Sequence, residues 1–248
     1  MRRHLHTFTI LSFCFAVSTL LASPPRKMYV DSPCDQLNTL NNKVRDGKIT
    51  KRDAQQQLKT LLPKVKSFYY KNGGKDFPQV YKFPLAGYNS KAIGGKSGSG
   101  YIASGYNYFA GNKHGGHPAH DIFIKDKNQD DIDDNTHEKV NVLSATAGIV
   151  VATEAEWEQP SDQRGGNYIW IYDPLTNRFY YYAHNSRVLV RPGYIVKPGD
   201  VIAEVGRTGF NAIKKRSPTH LHYMVLQLDS SCSPTPVNSY TDLIKAIK

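Results

Sequence analysis

The chain is poor in cysteine: three in 248 residues. That is too few for a scaffold held together by disulfides. It has no zinc-finger spacing, no arginine-rich tract and no RNA-binding aromatic motif, so its formal charge of +11 does not read as nucleic-acid binding. A basic chain favours anionic surroundings. The lysines and arginines are scattered, however, with one modest cluster at Lys214-Lys215-Arg216. A phosphate loop is missing as well. In Lys96-Ser97-Gly98-Ser99-Gly100 the lysine stands on the wrong side of the glycines. Long apolar runs are scarce. The one present, Phe8 to Leu21, is short for a membrane-spanning helix.

That run reads differently in its context. Met1-Arg2-Arg3 precedes it and Ala22-Ser23-Pro24-Pro25 follows it. A positive start, an apolar stretch and small residues before prolines are expected of a secretory signal peptide, here residues 1–22. Cys14 lies inside the run after Phe13, a poor lipoprotein cleavage site. Cleavage would remove Arg2 and Arg3 and take the charge from +11 to +9. The expected location is periplasmic or secreted, with no stable membrane span after cleavage. Cys34 and Cys232 then remain, and in an exported protein they are a candidate disulfide.

What is present supports a packed core: 40% hydrophobic residues, 11% aromatic, and 16 tyrosines beside 19 glycines, a balance that leans towards β-structure with many turns. Residues 23–75 form the first unit, with a helical hairpin over residues 35 to 71. Leu37, Leu40 and Val44 share a helical face, Asp46-Gly47 is a stop, and Thr50 with Asp53 is a capping start. Ala54, Leu58, Leu61, Leu62, Val65, Phe68 and Tyr69 make the second apolar stripe, which Pro63 should kink or divide. The hairpin is either a buttress on the main domain or a segment that gates a site.

Residues 76–248 have another grammar, short β-rich runs between glycine and proline turns. They predict a mostly antiparallel β-domain with strands at 119–124, 141–152, 167–172, 178–183, 201–205 and 220–228, and a short C-terminal helix. Asp126-Lys127-Asn128-Gln129-Asp130 resembles the start of a calcium loop. It lacks glycine at the sixth position and glutamate at the twelfth, where His137 stands, so a solvated acidic loop is expected. Trp157 and Tyr182 are candidates for lining a groove, Trp170 for the core.

The chemistry-bearing residues are histidines. His220 and His222, two apart on a strand, project to one face. His117 and Asp121, four apart, can return to one side. Imidazole and carboxylate are ordinary zinc ligands, and a catalytic site needs three of them plus an open position. The third can come from the His220/His222 strand, and spacing does not say which histidine supplies it. Tyr181-Tyr182-Ala183-His184 places a further imidazole at a strand end, and Val196-Lys197-Pro198-Gly199-Asp200-Val201 is an architectural β-turn.

The order His-x-x-x-Asp, Tyr-x-His, Val-x-Pro-Gly-Asp-x-Ile-x-x-x-Gly and His-x-His resembles the M23 family of zinc metallopeptidases, the LytM/lysostaphin type, over about residues 77–238. The resemblance implies a compact antiparallel β-sheet with an open groove (the duplicated-hybrid-motif type) and one zinc ion per chain. It implies His117, Asp121 and His222 as metal ligands, His184 and His220 as catalytic residues, and the peptide part of peptidoglycan as substrate. Ala119 and His120 depart from the usual His-x-Gly-x-Asp motif. Alternation turns His120 away from His117 and Asp121. Two functional readings follow: an exported zinc endopeptidase, or a catalytically silent module on the same fold that regulates another wall hydrolase. Degenerate relatives usually lack one of these five residues, and here all five are filled. A carrier domain, suggested by the Val-Lys-Pro-Gly-Asp-Val turn, lacks a suitably placed lysine.

Overall fold

A computed structural model describes residues 32–78 and 80–247. The expected signal peptide lies outside the described residues. Among these, no helix is long and apolar enough to cross a membrane.

Two helices come first. Helix α1, Pro33–Arg45, begins with a full capping box: the Ser32 side chain accepts from the Asp35 N–H, and the Asp35 carboxylate accepts from the Ser32 N–H. Helix α2, Lys51–Lys71, is capped by Thr50, which accepts from the Asp53 N–H. Of the two outcomes expected of Pro63, a kink or a division, the division does not occur: α2 runs through it. Pro63 sits on the exposed face, as does Lys59 one turn earlier. The Lys59 carbonyl that loses its helical partner can therefore turn to water.

The strands are β1 Ala119–Phe123, β2 Asn141–Leu143, β3 Gly148–Glu154, β4 Asn167–Asp173, β5 Arg178–Val188, β6 Ile195–Val196, β7 Val201–Val205, β8 His220–Leu228 and β9 Pro234–Val237. A short helix α3, Tyr240–Lys245, follows. All strand pairs are antiparallel, in the order β1-β8-β5-β4-β3-β6, with β7 against β5 and β2, and β9 against β8. The sheet is open, as expected. The single strand foreseen at 141–152 is two, because Ser144–Ala147 forms a buried turn in which the Ser144 hydroxyl donates to the Thr146 carbonyl. The halves pair with different neighbours, β2 with β7 and β3 with β4.

The two faces of the sheet have different covers. One carries Ile122, Ile169, Ile171, Tyr180, Tyr182, Leu221, Tyr223 and Val225 into one core. Tyr182 is fully buried there, so it lines no groove. The other carries Ile149, Val151, Tyr168, Trp170, Phe179, Met224 and Leu226, which share a single core with Leu37, Leu40, Val44, Leu58, Leu62 and Val65 of the hairpin. Strand alternation puts His220 and His222 on this second face, with Met224 and Leu226. The hairpin and the histidines therefore occupy one side of the sheet.

The Cys34–Cys232 bridge is not formed; both thiols are free. Both side chains touch the hairpin-side core, but from different places. Cys34 sits at the start of α1 beside Gly193, where burial pushes its thiol up to about 12. Cys232 lies in the β8–β9 turn, next to Ser231, which is bonded to Gln55 of α2.

Candidate metal centre

Strand register builds the centre. Asp121 of β1 lies directly opposite His222 of β8, and Phe123 opposite His220. Cross-strand partners share a face, so Asp121, His220 and His222 project together. His117, just before β1, is held by reciprocal backbone bonds with Ile102, 2.7 Å each way. His120, opposite Tyr223, turns to the other side. It is buried there, its Nε2 3.0 Å from Asn238 Oδ1 and its ring stacked on Tyr101.

His184 reaches the same face by a different device. Asn167 and Tyr168 are consecutive in β4, yet they face Asn185 and Ala183 of β5. His184 is the extra residue of a β-bulge, with φ +68°. Regular alternation would send it to the face of Tyr182; the bulge re-aims it. Its ring lies 4.9 Å from that of His220 and 5.4 Å from that of His222.

Backbone carbonyls orient three of these imidazoles. His117 Nδ1 is 3.0 Å from the Gly100 oxygen, His184 Nδ1 2.8 Å from the Thr208 oxygen, and His220 Nδ1 2.7 Å from the Pro218 oxygen. A carbonyl only accepts, so each Nδ1 carries the hydrogen and each neutral ring presents an Nε2 lone pair. His117 Nε2 lies 3.2 Å and His222 Nδ1 3.0 Å from the same Asp121 Oδ1. His117, Asp121 and His222 each offer one ligand atom, all within 4.8 Å of one another.

This donor set fits a metal cation. With His117 neutral, its Nε2 lone pair faces a carboxylate oxygen, an unfavourable contact that a cation between them would turn into two bonds. Two nitrogens and one oxygen are a common catalytic zinc set. The electrostatics keep Asp121 and His222 in their binding forms. Burial alone would raise the Asp121 carboxyl, but His117 and His222 hold it well below the usual carboxylate range. Burial, followed by the neighbouring His220 and His222, pushes His184 well below the usual imidazole value; His222 is lowered too, mainly by burial. His117 is raised, first by its bond to Asp121.

Beneath the histidines lies a polar network that the motifs did not reveal. The Thr219 hydroxyl donates to Asp126 Oδ2 at 2.6 Å. Asp126 also accepts from the N–H groups of Gln129, Asp130 and Asp131. Asp126 and Asp133 are buried, so the solvated acidic loop expected over 126–134 is partly an internal prop. Arg207, also buried, donates to the carbonyls of Ser217 at 2.5 Å and Lys214 at 3.1 Å. It thereby closes the loop carrying both Thr208 and Pro218, the anchors of His184 and His220. A threonine just before His-x-His was the one available sequence signal.

An open antiparallel sheet carries on one face a His/Asp/His cluster that could hold a metal ion, flanked by two further imidazoles. Residues 127–234 match the model of peptidase family M23. The match covers under half of the chain and agrees with the family that the motifs resemble. The matched segment holds His184, His220 and His222; strand register brings in Asp121, and the bridge to Ile102 holds His117 beside it, both of which precede the segment. Among solved structures, the antimicrobial peptidase lysostaphin from Staphylococcus simulans is 24% identical, over 59% of this chain and 48% of that one, with a TM-score of 0.38. Its catalytic domain alone is 22% identical over 70% of this chain and 95% of the domain, TM-score 0.37. A zinc-containing peptidase from Vibrio cholerae is 20% identical over 66% and 39%, TM-score 0.40. This chain thus spans about half the length of full lysostaphin and less of the Vibrio protein.

Proposed function

We propose that the chain is an exported zinc-dependent endopeptidase that hydrolyses peptide bonds in the stem or cross-link peptides of peptidoglycan. The observation carrying this reading is the convergence of His117, Asp121 and His222 with two more imidazoles whose Nδ1 atoms are held on backbone carbonyls. The match of residues 127–234 to the M23 peptidase model supports peptide hydrolysis, and the basic charge suits an anionic envelope.

His117, Asp121 and His222 would hold the zinc, which when bound acidifies water and polarises a carbonyl. The remaining duties fall to His184 and His220. One accepts a proton from the attacking water on Nε2. The other, protonated on Nε2 while its Nδ1–H stays on its carbonyl, donates to the carbonyl oxygen where negative charge gathers. The C–N bond breaks, the water oxygen stays on the carbonyl carbon, and the leaving amine takes the proton carried by the imidazole.

The test compares zinc content and muropeptide release for the wild type, His222→Ala and His220→Ala. The wild type should carry about one zinc per chain. His222→Ala should lose the metal. His220→Ala should keep it and lose about 10²–10⁴-fold in rate. A wild type that binds zinc yet releases nothing from several kinds of wall would sink the endopeptidase reading.

A further inference from the structure

On the face that carries the histidines, a cavity of about 80 Å³ lies between the sheet, the 108–114 loop and α1. Its floor includes Tyr181 and Met224, which are register partners, as are Ala183 and His222. The floor therefore begins two residues along the sheet from His222, about 7 Å. An extended peptide crosses that distance in two residues. Asn41 and Arg45 of α1 help line the cavity, so the hairpin walls it where a groove on a bare sheet would run on.

The lining is aromatic, amide and cationic, with no acidic side chain among the described residues. It contains two guanidinium groups in different situations. Arg45 is engaged, with Nη1 2.7 Å from Glu154 and Nε 2.7 Å from Asp46. Arg164 is held in place but not neutralised. Its backbone N–H donates to Asn112 Oδ1 at 2.9 Å, and its Nη1 to the His114 carbonyl at 2.6 Å. No carboxylate of the described residues stands within ion-pair distance of it. Arg164 lines the cavity, and the carbonyl of the next residue, Gly165, accepts from the His184 N–H at 3.0 Å, which places it between the histidines and the cavity. An oriented, unpaired guanidinium keeps donors free for one carboxylate, the partner its fork fits best.

We propose that Arg164 is a specificity-determining residue that binds a substrate carboxylate one or two residues from the scissile bond. The α1 wall favours the carboxylate that ends a chain, since a peptide entering from the metal centre has little room to continue. Under the peptidase reading, cleavage is then directed to bonds near a free carboxyl end.

The test uses a synthetic stem-type pentapeptide in three forms: free C-terminal acid, C-terminal amide, and amide with glutamate as last residue. Wild type, Arg164→Gln and Arg164→Lys are compared by kcat/KM and by titration calorimetry, with zinc content and melting followed alongside. The wild type should prefer the acid to the amide by roughly 10–100-fold, the usual yield of a hydrogen bond to a charged group. That ratio should collapse towards one in Arg164→Gln and be intermediate in Arg164→Lys, mainly through KM. Rescue by the glutamate amide would keep the carboxylate site and assign it to a side chain. An acid-to-amide ratio near one in the wild type overturns the proposal without recourse to any variant, and so does a ratio that survives in Arg164→Gln. If no form is cut, the peptidase reading fails separately and calorimetry decides: an Arg164-dependent preference for the acid supports the site, and equal binding of acid and amide rejects it.

Discussion

At the scale of single residues, the site depends on small groups that let imidazoles and backbone meet. Gly209 has φ +113°, and a Cβ there would stand 2.5 Å from the Arg164 oxygen and 3.0 Å from His184 Nδ1. Neither neighbour can yield freely, because one is backbone and the other is a ring pinned to the Thr208 carbonyl. Gly209→Ala should cost about 1–3 kcal/mol of stability and lower kcat by more than about tenfold through a displaced His184. Zinc stoichiometry should not change, since His117, Asp121 and His222 lie on other elements. Melting, metal content and muropeptide release check the three parts. A fully active variant with wild-type melting would show that the close approach is inconsequential. The chemistry of the centre was legible in the residue types. The left-handed bulge at His184 was not, because it arises from a two-for-one pairing with β4 that no local spacing encodes.

At the scale of elements, the 206–219 loop joins the two imidazoles that would share catalysis. Arg207 reaches Ser217, Thr219 and Lys214, so a single buried side chain holds the loop closed from inside. Arg207→Met keeps bulk but removes a charged donor from both carbonyls, leaving Lys214 O with the Ser217 N–H and Ser217 O with a 3.4 Å contact from Gln129 Nε2, at about 1.5–3 kcal/mol for each charge-assisted bond lost. The expected result is a melting point several degrees lower and a fall in kcat larger than any change in KM, again with zinc retained. Loss of zinc would instead place Arg207 under the metal ligands. Helix α2 offers the opposite kind of change. Pro63 lies on its exposed face inside an otherwise continuous helix, so Pro63→Ala restores one backbone hydrogen bond and removes a ring clash. It should stabilise the protein by about 1–3 kcal/mol in urea unfolding with little change in slope. An unchanged or lower midpoint would mean that Pro63 serves the packing of α2. The helical hairpin itself was legible, down to the Thr50 N-cap of α2, because capping and apolar periodicity are local; the Ser32 capping box that starts α1 was not read. The division of 141–152 into two strands was not. Val140, Val142, Ala145, Ala147 and Ile149 are all buried, so the apolar run gives no sign of the turn within it.

At the scale of the whole molecule, the question is whether the hairpin gates the centre or supports it. A gate needs a separable, weakly held surface. Here Leu37, Leu40, Val44, Leu58, Leu62 and Val65 enter the same core as Ile149, Val151, Trp170 and Leu226, and each is at most 7% exposed. Polar contacts pin the same interface: Asn41 Nδ2 to Tyr168 Oη at 3.0 Å and Arg45 Nη1 to Glu154 at 2.7 Å. Each large apolar side chain buried is worth about 1.5–3 kcal/mol, while a domain's net stability is only about 5–15 kcal/mol. Removing the hairpin would therefore consume the whole margin and expose an apolar sheet face. Deleting residues 24–75 should yield aggregated or unfolded chain, with no gain in activity in any soluble fraction. A milder variant, Leu40→Ala, should cost about 2–5 kcal/mol without raising kcat/KM. A soluble, folded truncation that digests wall peptides faster than the full chain would restore the gate. The buttress reading also accounts for the walled cavity beside the centre: a structural element packed this tightly on the catalytic face shapes the groove permanently, so the reach of the substrate would be set by the fold rather than by an opening and closing motion.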